Sequence, residues 1–149
     1  WRIANAIVDH REEHVIDTTA KLAKLIAQTA PQREIKKHPA TRSFQAIRMY
    51  INSELEQIEQ ALNSAVEILA PGGRLVVISF HSLEDRLVKQ FFKKKSQGKK
   101  VPRGLPIPES EINKGKELAL VGRKIKPSKA EVEENVRSRS SVLRIAEKL

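Results

Sequence analysis

The stretch "APGGRLVVISFHSLEDR", residues 70–86, decides the fold. Pro71-Gly72-Gly73 makes a sharp turn, because glycine reaches backbone angles that other residues avoid. Residues 74–80 follow as a strand. Its Leu75, Val76, Val77 and Ile78 place apolar groups on both faces. That pattern predicts a central, parallel strand covered by helices on both sides. The chain then turns abruptly polar. Ligands of open parallel sheets sit beyond the carboxyl ends of the strands, so Ser79, Phe80 and His81 stand where a cleft belongs. Ser82-Leu83-Glu84-Asp85 fits a capping box, in which Ser82 accepts from the Asp85 amide and Asp85 reaches back. Ser82 and Asp85 are therefore read as a helix start, with Glu84 and Asp85 favouring its dipole. Arg86 suits a neighbouring carboxylate or a phosphate.

Upstream, Ile3, Ala6, Ile7 and His10 recur at helical spacing over residues 2–13. After a break, Asp17, Thr18 or Thr19 caps a second helix striped by Leu22, Leu25, Ile26 and Thr29. Residues 31–39 read as a connector, and Pro39 suits the opening of the next helix. Over 40–69, Phe44, Ile47, Ile51, Leu55, Ile58, Leu62, Ala65 and Leu69 step by three or four. This is one long helix, or two nearly collinear ones. Beside the stripe run Thr41, Gln45, Arg48 and Asn52.

Downstream, Leu83, Leu87, Val88, Phe91 and Phe92 return to helical period over 83–95. Residues 96–116 are rich in Lys, Gly and Pro and read as a long surface loop. Residues 117–125 are a candidate strand, 127–140 a short helix or loop, and 141–149 a last strand. Helices followed by strand, helix, strand, strand describe the back half of a doubly wound α/β sheet.

Composition narrows the chemistry. The 149 residues suffice for one ordinary domain, and with 4% aromatic residues its core must be mostly aliphatic. Cysteine is absent, which excludes disulfides and thiolate metal sites. The longest apolar run is four residues, too short to span a membrane. Net charge is +10, carried by the second half. Residues 1–74 hold 10 Lys/Arg against 9 Asp/Glu, whereas residues 75–149 hold 18 against 9. A polyanion, most commonly nucleic acid, is the natural partner. Lys93, Lys94, Lys95, Lys99, Lys100 and Arg103 form the densest cluster. Arg137, Arg139 and Arg144, interleaved with Ser138, Ser140 and Ser141, make a second phosphate-friendly segment.

Other chemistries find no support. The histidines at 10, 14, 38 and 81 lack metal-ligand spacing; His10 and His14 lie i, i+4 but without an acidic HExxH partner. There is no P-loop and no GxGxxG. A helix-turn-helix DNA reader built on Lys21, Lys24 and Gln28 would be too weakly basic.

Three segments together carry a resemblance: "HPATRSFQAIRMYINSELEQIEQAL", "LAPGGRLVVISFHSLEDRLVKQFF" and "RSRSSVLRIAEK". The chain resembles, from about residue 2 to 149, the bacterial 16S ribosomal RNA (cytosine-N4) methyltransferase family. The resemblance implies the C-terminal half of a class I, Rossmann-like S-adenosylmethionine-dependent fold. Residues 1–38 then correspond to later helices of an inserted helical substrate-recognition domain. Residues 39–149 correspond to the second half of the methyltransferase domain, with its helix, fifth strand and final strands. The implied cofactor is S-adenosyl-L-methionine, the implied partner is 16S ribosomal RNA or the small ribosomal subunit, and the implied location is cytoplasmic. The family's Gly-Gly-His-Ser loop, second-strand acidic residue and Asp-Leu-Gly motif are absent here, so no cofactor-binding residue is expected in this chain. Val136 stands where family members often have Pro, which removes a fixed φ from that turn.

The family's reaction needs a poorly nucleophilic exocyclic amine held in line with a methyl sulfonium. On that basis Ser79, Phe80 and His81 are expected on the target-base side of the cleft. Arg42, Gln45, Arg48 and Asn52 are expected on its neighbouring wall. Arg86, the lysines at 93–100, and Arg137, Arg139 and Arg144 are expected on RNA. Lacking four strands, the apolar strand 75–80 has an unpaired edge, which predicts a homodimer or segment exchange. The competing reading is a non-catalytic basic RNA-binding module, which S-adenosylmethionine binding by the full-length parent would exclude.

Overall fold

The computed structural model describes residues 1–30, 38–98, 108 and 113–149. Most of the 31–39 connector and most of the 96–116 loop, with Lys99, Lys100 and Arg103, lie outside the described residues. The backbone falls into two compact units, Trp1–Glu54 and Leu55–Leu149.

In the first unit, helix α1 (Arg2–Glu13) and helix α2 (Thr19–Thr29) pack against each other. The His14 amide closes α1 on the His10 carbonyl, and the two imidazoles stack with centroids 4.9 Å apart. Of the three proposed caps for α2, Thr18 takes the role: its Oγ1 accepts from the Lys21 amide at 3.2 Å. Ile26 is fully buried, as its place on the apolar stripe requires.

The long stripe forms two helices, α3 (Thr41–Ile51) and α4 (Glu54–Ile68). Asn52 still has near-helical angles, but Ser53 adopts φ +50°, the left-handed region that costs a non-glycine residue about 1 kcal/mol. A clasp spans the break. The Arg48 guanidinium holds the Glu54 carboxylate through Nε at 2.7 Å and Nη2 at 3.1 Å, and Asn52 Nδ2 donates to the same group at 3.4 Å. Apolar spacing is preserved through the break, from Ile51 to Leu55, so periodicity alone left one helix or two.

The second unit is built on β1 (Arg74–Ser79), β2 (Leu118–Leu120) and β3 (Val142–Lys148). Their order is β1-β3-β2, and both pairings are antiparallel. The expectation of a central parallel β1 is therefore corrected. β3 runs back along β1, from Arg74 opposite Glu147 to Ser79 opposite Val142, and β2 takes the other side of β3. β1 is an edge strand among the described residues. Its two apolar faces also fare differently. Leu75 and Val77 pack on the core, whereas Val76 and Ile78 are 52% and 54% exposed.

Helix α5 (Ser82–Ser96) covers the inner face. Val88, Phe91 and Phe92 meet Leu62 and Val66 of α4, Leu118 of β2 and Ala146 of β3 in one cluster. With so few aromatics, Phe92 at 2% exposed fills much of that space. The candidate strand 117–125 is shorter than expected. β2 stops at Leu120, and pairing resumes only where Ile125 meets Leu143. Beyond it, α6 (Lys129–Glu134) is capped by Ser128, and a 3-10 helix (Val136–Ser140) is capped by Asn135. Val136 opens that turn without a proline ring. Asn135 Oδ1 accepts the Arg137 amide, and the buried Ser138 hydroxyl bonds the Asn135 and Glu131 carbonyls. Among the described residues, no helix is long and apolar enough to cross a membrane.

The asymmetry of β1 is open to test. Phe92→Ala should lower stability by about 3–5 kcal/mol in urea denaturation. Ile78→Thr, on the uncovered face, should stay within about 0.5 kcal/mol of the parent. An Ile78→Thr loss as large as that of Phe92→Ala would mean the outer face is covered in solution.

Candidate functional site

Where β1 hands over to α5, backbone direction changes within two residues, and the carboxylate of Glu84 fixes the corner. Its Oε2 accepts from the Phe80 amide at 2.8 Å and from the His81 amide at 3.2 Å. In return the Glu84 amide donates to His81 Nδ1 at 3.3 Å. The capping box is thus His81 with Glu84, one residue earlier than Ser82 with Asp85. That expectation is corrected for a physical reason: Asp85 has a long-range partner. Arg144, from the middle of β3, grips it through Nε at 2.7 Å and Nη2 at 3.1 Å. Two overlapping acidic frames stand in the sequence, and only the fold decides between them.

The protonation of His81 follows from its partners. A ring nitrogen that accepts from an amide carries no proton, so the hydrogen-bond pattern assigns the proton to Nε2. Nε2 lies 3.1 Å from Glu84 Oε1, yet off the line a hydrogen bond requires, and it is buried without another partner. In this state His81 offers a donor, not a base.

The corner treats its three expected site residues differently. Ser79 is 3% exposed, on the side of the strand that faces α5, and supports the surface from beneath. Further chain can only bury it more. His81 is spent on the cap. Phe80 is 57% exposed and is the residue the corner presents, flanked by the exposed Ile78 and Leu83. Glu84, which fixes the backbone of Phe80 and His81, was read from sequence only as a residue favouring the helix dipole. Its separation of three from His81 is a capping-box spacing, but histidine is not a favoured cap.

Arg42, Gln45, Arg48 and Asn52 belong to the first unit. Arg48 and Asn52 converge on Glu54 at the helix break, so these two have a structural task. Arg42 is exposed and Gln45 half-buried.

The expected RNA-facing cations also divide. Arg144 is engaged by Asp85, with only 17% of its side chain exposed. Lys95 Nζ binds Glu117 at 2.7 Å and lies over the Phe91 ring at 5.9 Å. Neither is a free surface charge. Arg86, Lys93, Lys94, Arg137 and Arg139 are exposed.

The Arg144 guanidinium holds the Asp85 carboxyl below its ordinary range, chiefly by hydrogen bonding and against the opposing effect of burial; the charges of Lys124 and Lys89 add to the lowering. An acid whose folded pKa is depressed stabilises the fold above its unfolded pKa, near 4, and loses that contribution as pH falls through the lower folded value. Asp85→Asn should therefore cost about 1.5–3 kcal/mol at pH 7. That deficit should shrink below about pH 4, as denaturant titrations at several pH values would read. Separately, Glu84→Ala should cost about 1–2 kcal/mol through the lost cap. Ser82→Ala should be near neutral in thermal melts, and the reverse ranking would restore the Ser82–Asp85 frame.

The chain has close relatives. It is 60% identical over 147 residues to "Ribosomal RNA small subunit methyltransferase H" of Shewanella denitrificans, covering 99% of this chain and 47% of the relative. A protein of the same name from Idiomarina loihiensis is 61% identical over 148 residues, again 99% of this chain and 47% of the relative. The chain thus spans about half the length of the curated relatives it matches. The profile of the MraW methylase family matches residues 1–149 without interruption, and the chain belongs to that family.

Proposed function

We propose that this chain is part of an S-adenosylmethionine-dependent methyltransferase that N4-methylates a cytidine of 16S ribosomal RNA, acting in the cytoplasm on the RNA or on the small ribosomal subunit. The observation that carries the reading is the match of the whole chain, at about 60% identity, to proteins named as small-subunit ribosomal RNA methyltransferases. The second unit fits it as the later part of a class I, Rossmann-like sheet. Among the described residues β1 has an open edge and an uncovered apolar face, where the remaining strands and helices of such a fold would pair and pack. In the 149 residues alone, the same edge would recruit a second copy. Light scattering at high concentration distinguishes these two fates of the edge. Residues 1–38 fit helices of a substrate-recognition insertion.

Among the described residues, the glycine-rich turn does not fit S-adenosylmethionine. A glycine-rich loop binds anionic or polar ligands with free amides. The chain's one Gly-Gly pair has none to offer: the Gly72 amide donates to the Lys148 carbonyl and the Gly73 amide to that of Ala70. On this reading the methyl-donor site belongs to the part of the relatives' length outside the match.

What this chain contributes is the substrate side. Methylation of a base requires an unstacked nucleotide, and unstacked bases rest on aromatic faces. Phe80 is an exposed ring on a backbone fixed by Glu84. Its position is held by the cap between Glu84 and His81. Arg86, Lys93, Lys94, Arg137 and Arg139 bind flanking phosphates.

The test is transfer of a labelled methyl group to 16S ribosomal RNA by a protein of the relatives' full length that contains this chain. Phe80→Ala should lower kcat/KM roughly tenfold to a hundredfold, from about 1–3 kcal/mol of lost stacking, with the melting temperature retained. An unchanged kcat/KM would remove Phe80 from the substrate wall.

A further inference from the structure

A second surface of the same unit has the chemistry of a phosphate-binding groove. Between β2 and the Ile125–Leu143 bridge, the chain departs from the ladder. The Val121 amide donates to Ile145, and the next paired residue, Ile125, faces Leu143. Four residues of advance on one strand match two on the other. The surplus forms a bulge, turned by Gly122 at φ +66°. It carries Arg123 and Lys124 out of the sheet, toward Lys89 and Lys93 one helical turn apart on α5.

These four cations line an open cavity of about 570 Å³ between α5 and the β2–β3 edge. Its apolar part includes Phe92, Val121 and Ile145, with Leu120 exposed at the rim. Among the described residues no carboxylate lines it. Arg144 also borders the cavity, but its charge is matched by Asp85. Among the described residues Lys89, Lys93, Arg123 and Lys124 are in no ion pair or hydrogen bond and all four are exposed; the Asp85 carboxylate, which Lys89 and Lys124 feel at longer range, is already bound by Arg144. Gathering like charges around one concavity is unfavourable unless an anion answers them, and a concave low-dielectric wall focuses their field. The cations stand on both banks, two on a helix and two on a bulge. That spread suits an extended chain of phosphates better than a single compact anion, and Leu120 offers an apolar seat for a ribose or base.

We propose that the groove between α5 and the Gly122 bulge binds the sugar–phosphate backbone of RNA. It is a contact separate from the corner at Phe80. The inference deepens the methyltransferase reading by placing part of its RNA substrate, and rests on it for the choice of RNA. It assigns Lys89, Arg123 and Lys124 a role that neither the motifs nor the family resemblance pointed to.

The experiment is fluorescence anisotropy of the 149-residue chain with a labelled single-stranded RNA oligonucleotide, over a range of salt. The variant is Arg123→Gln/Lys124→Gln, which leaves Gly122 and the core intact. Its Kd should rise roughly tenfold at moderate salt, and the slope of log K against log salt should shrink by about 1.4, as for two lost phosphate contacts. The swap Arg123→Lys/Lys124→Arg should preserve the slope. The control Lys126→Gln/Lys129→Gln removes the same charge from exposed positions outside the groove and should change Kd far less. Equal losses in variant and control would mean a general field and overturn the groove. So would an unaffected groove variant, or a parent chain that does not bind RNA. Loss confined to the groove variant, with no methyl transfer by the full-length protein, would keep the groove and fell the enzyme reading.

Discussion

The carboxylate of Glu84 accepting the amides of Phe80 and His81 is the constraint on which the second unit turns. A strand that ends in the sheet must redirect its chain at once if the next helix is to lie back on the same face. The two amides at the corner would otherwise face the helix start unpaired. Glu84 satisfies both, and its own amide is satisfied by His81. Once α5 starts there, Asp85 is brought to Arg144 at the centre of β3, and one turn further Val88, Phe91 and Phe92 fall on the core. Two adjacent carboxylates thus tie one helix start to two strands.

That arrangement explains why an exposed phenylalanine is tolerable at the corner. Phe80 keeps its ring outward because its backbone is fixed by a carboxylate rather than by burial of its side chain. An aromatic residue held by its backbone would lose little conformational freedom under the proposed stacking of a base. Burial of Ser79 and capping by His81 serve the same end. In this geometry the polar residues after the strand build a platform; they do not themselves crowd the surface.

Much of the fold was legible in sequence, and the exceptions share a cause. Helix positions followed apolar spacing, and the Thr18 cap and the strand after Gly73 followed local rules. What local rules could not supply were partners distant in sequence. The frame of the capping box depended on Arg144, 59 residues beyond Asp85. The place of β1 at the sheet edge depended on how β3 returned. The hydrophobicity of Val76 and Ile78 reads as double burial, yet here one face is bare. At the strand's end, direction alone marked Ser79, Phe80 and His81 as neighbours of one corner. The division of labour among Ser79, Phe80 and His81 required knowing which side chain faces α5.

Charge shows the same limit from the other direction. The count of +10 treats every cation alike, but the fold sorts them. Arg48 holds a helix break, Arg74 pairs with Glu147 across β1 and β3, Lys95 ties α5 to Glu117, and Arg144 anchors Asp85. Several of the cations that looked most available are therefore engaged. Those in no ion pair among the described residues include Arg123 and Lys124, which in sequence share a short basic run with Lys126 and Lys129. They become a pair facing Lys89 and Lys93 only because two surplus residues interrupt a ladder. A basic run marks where charge is abundant; a bulge beside a helix marks where charge is directed, and direction is what an RNA backbone can recognise.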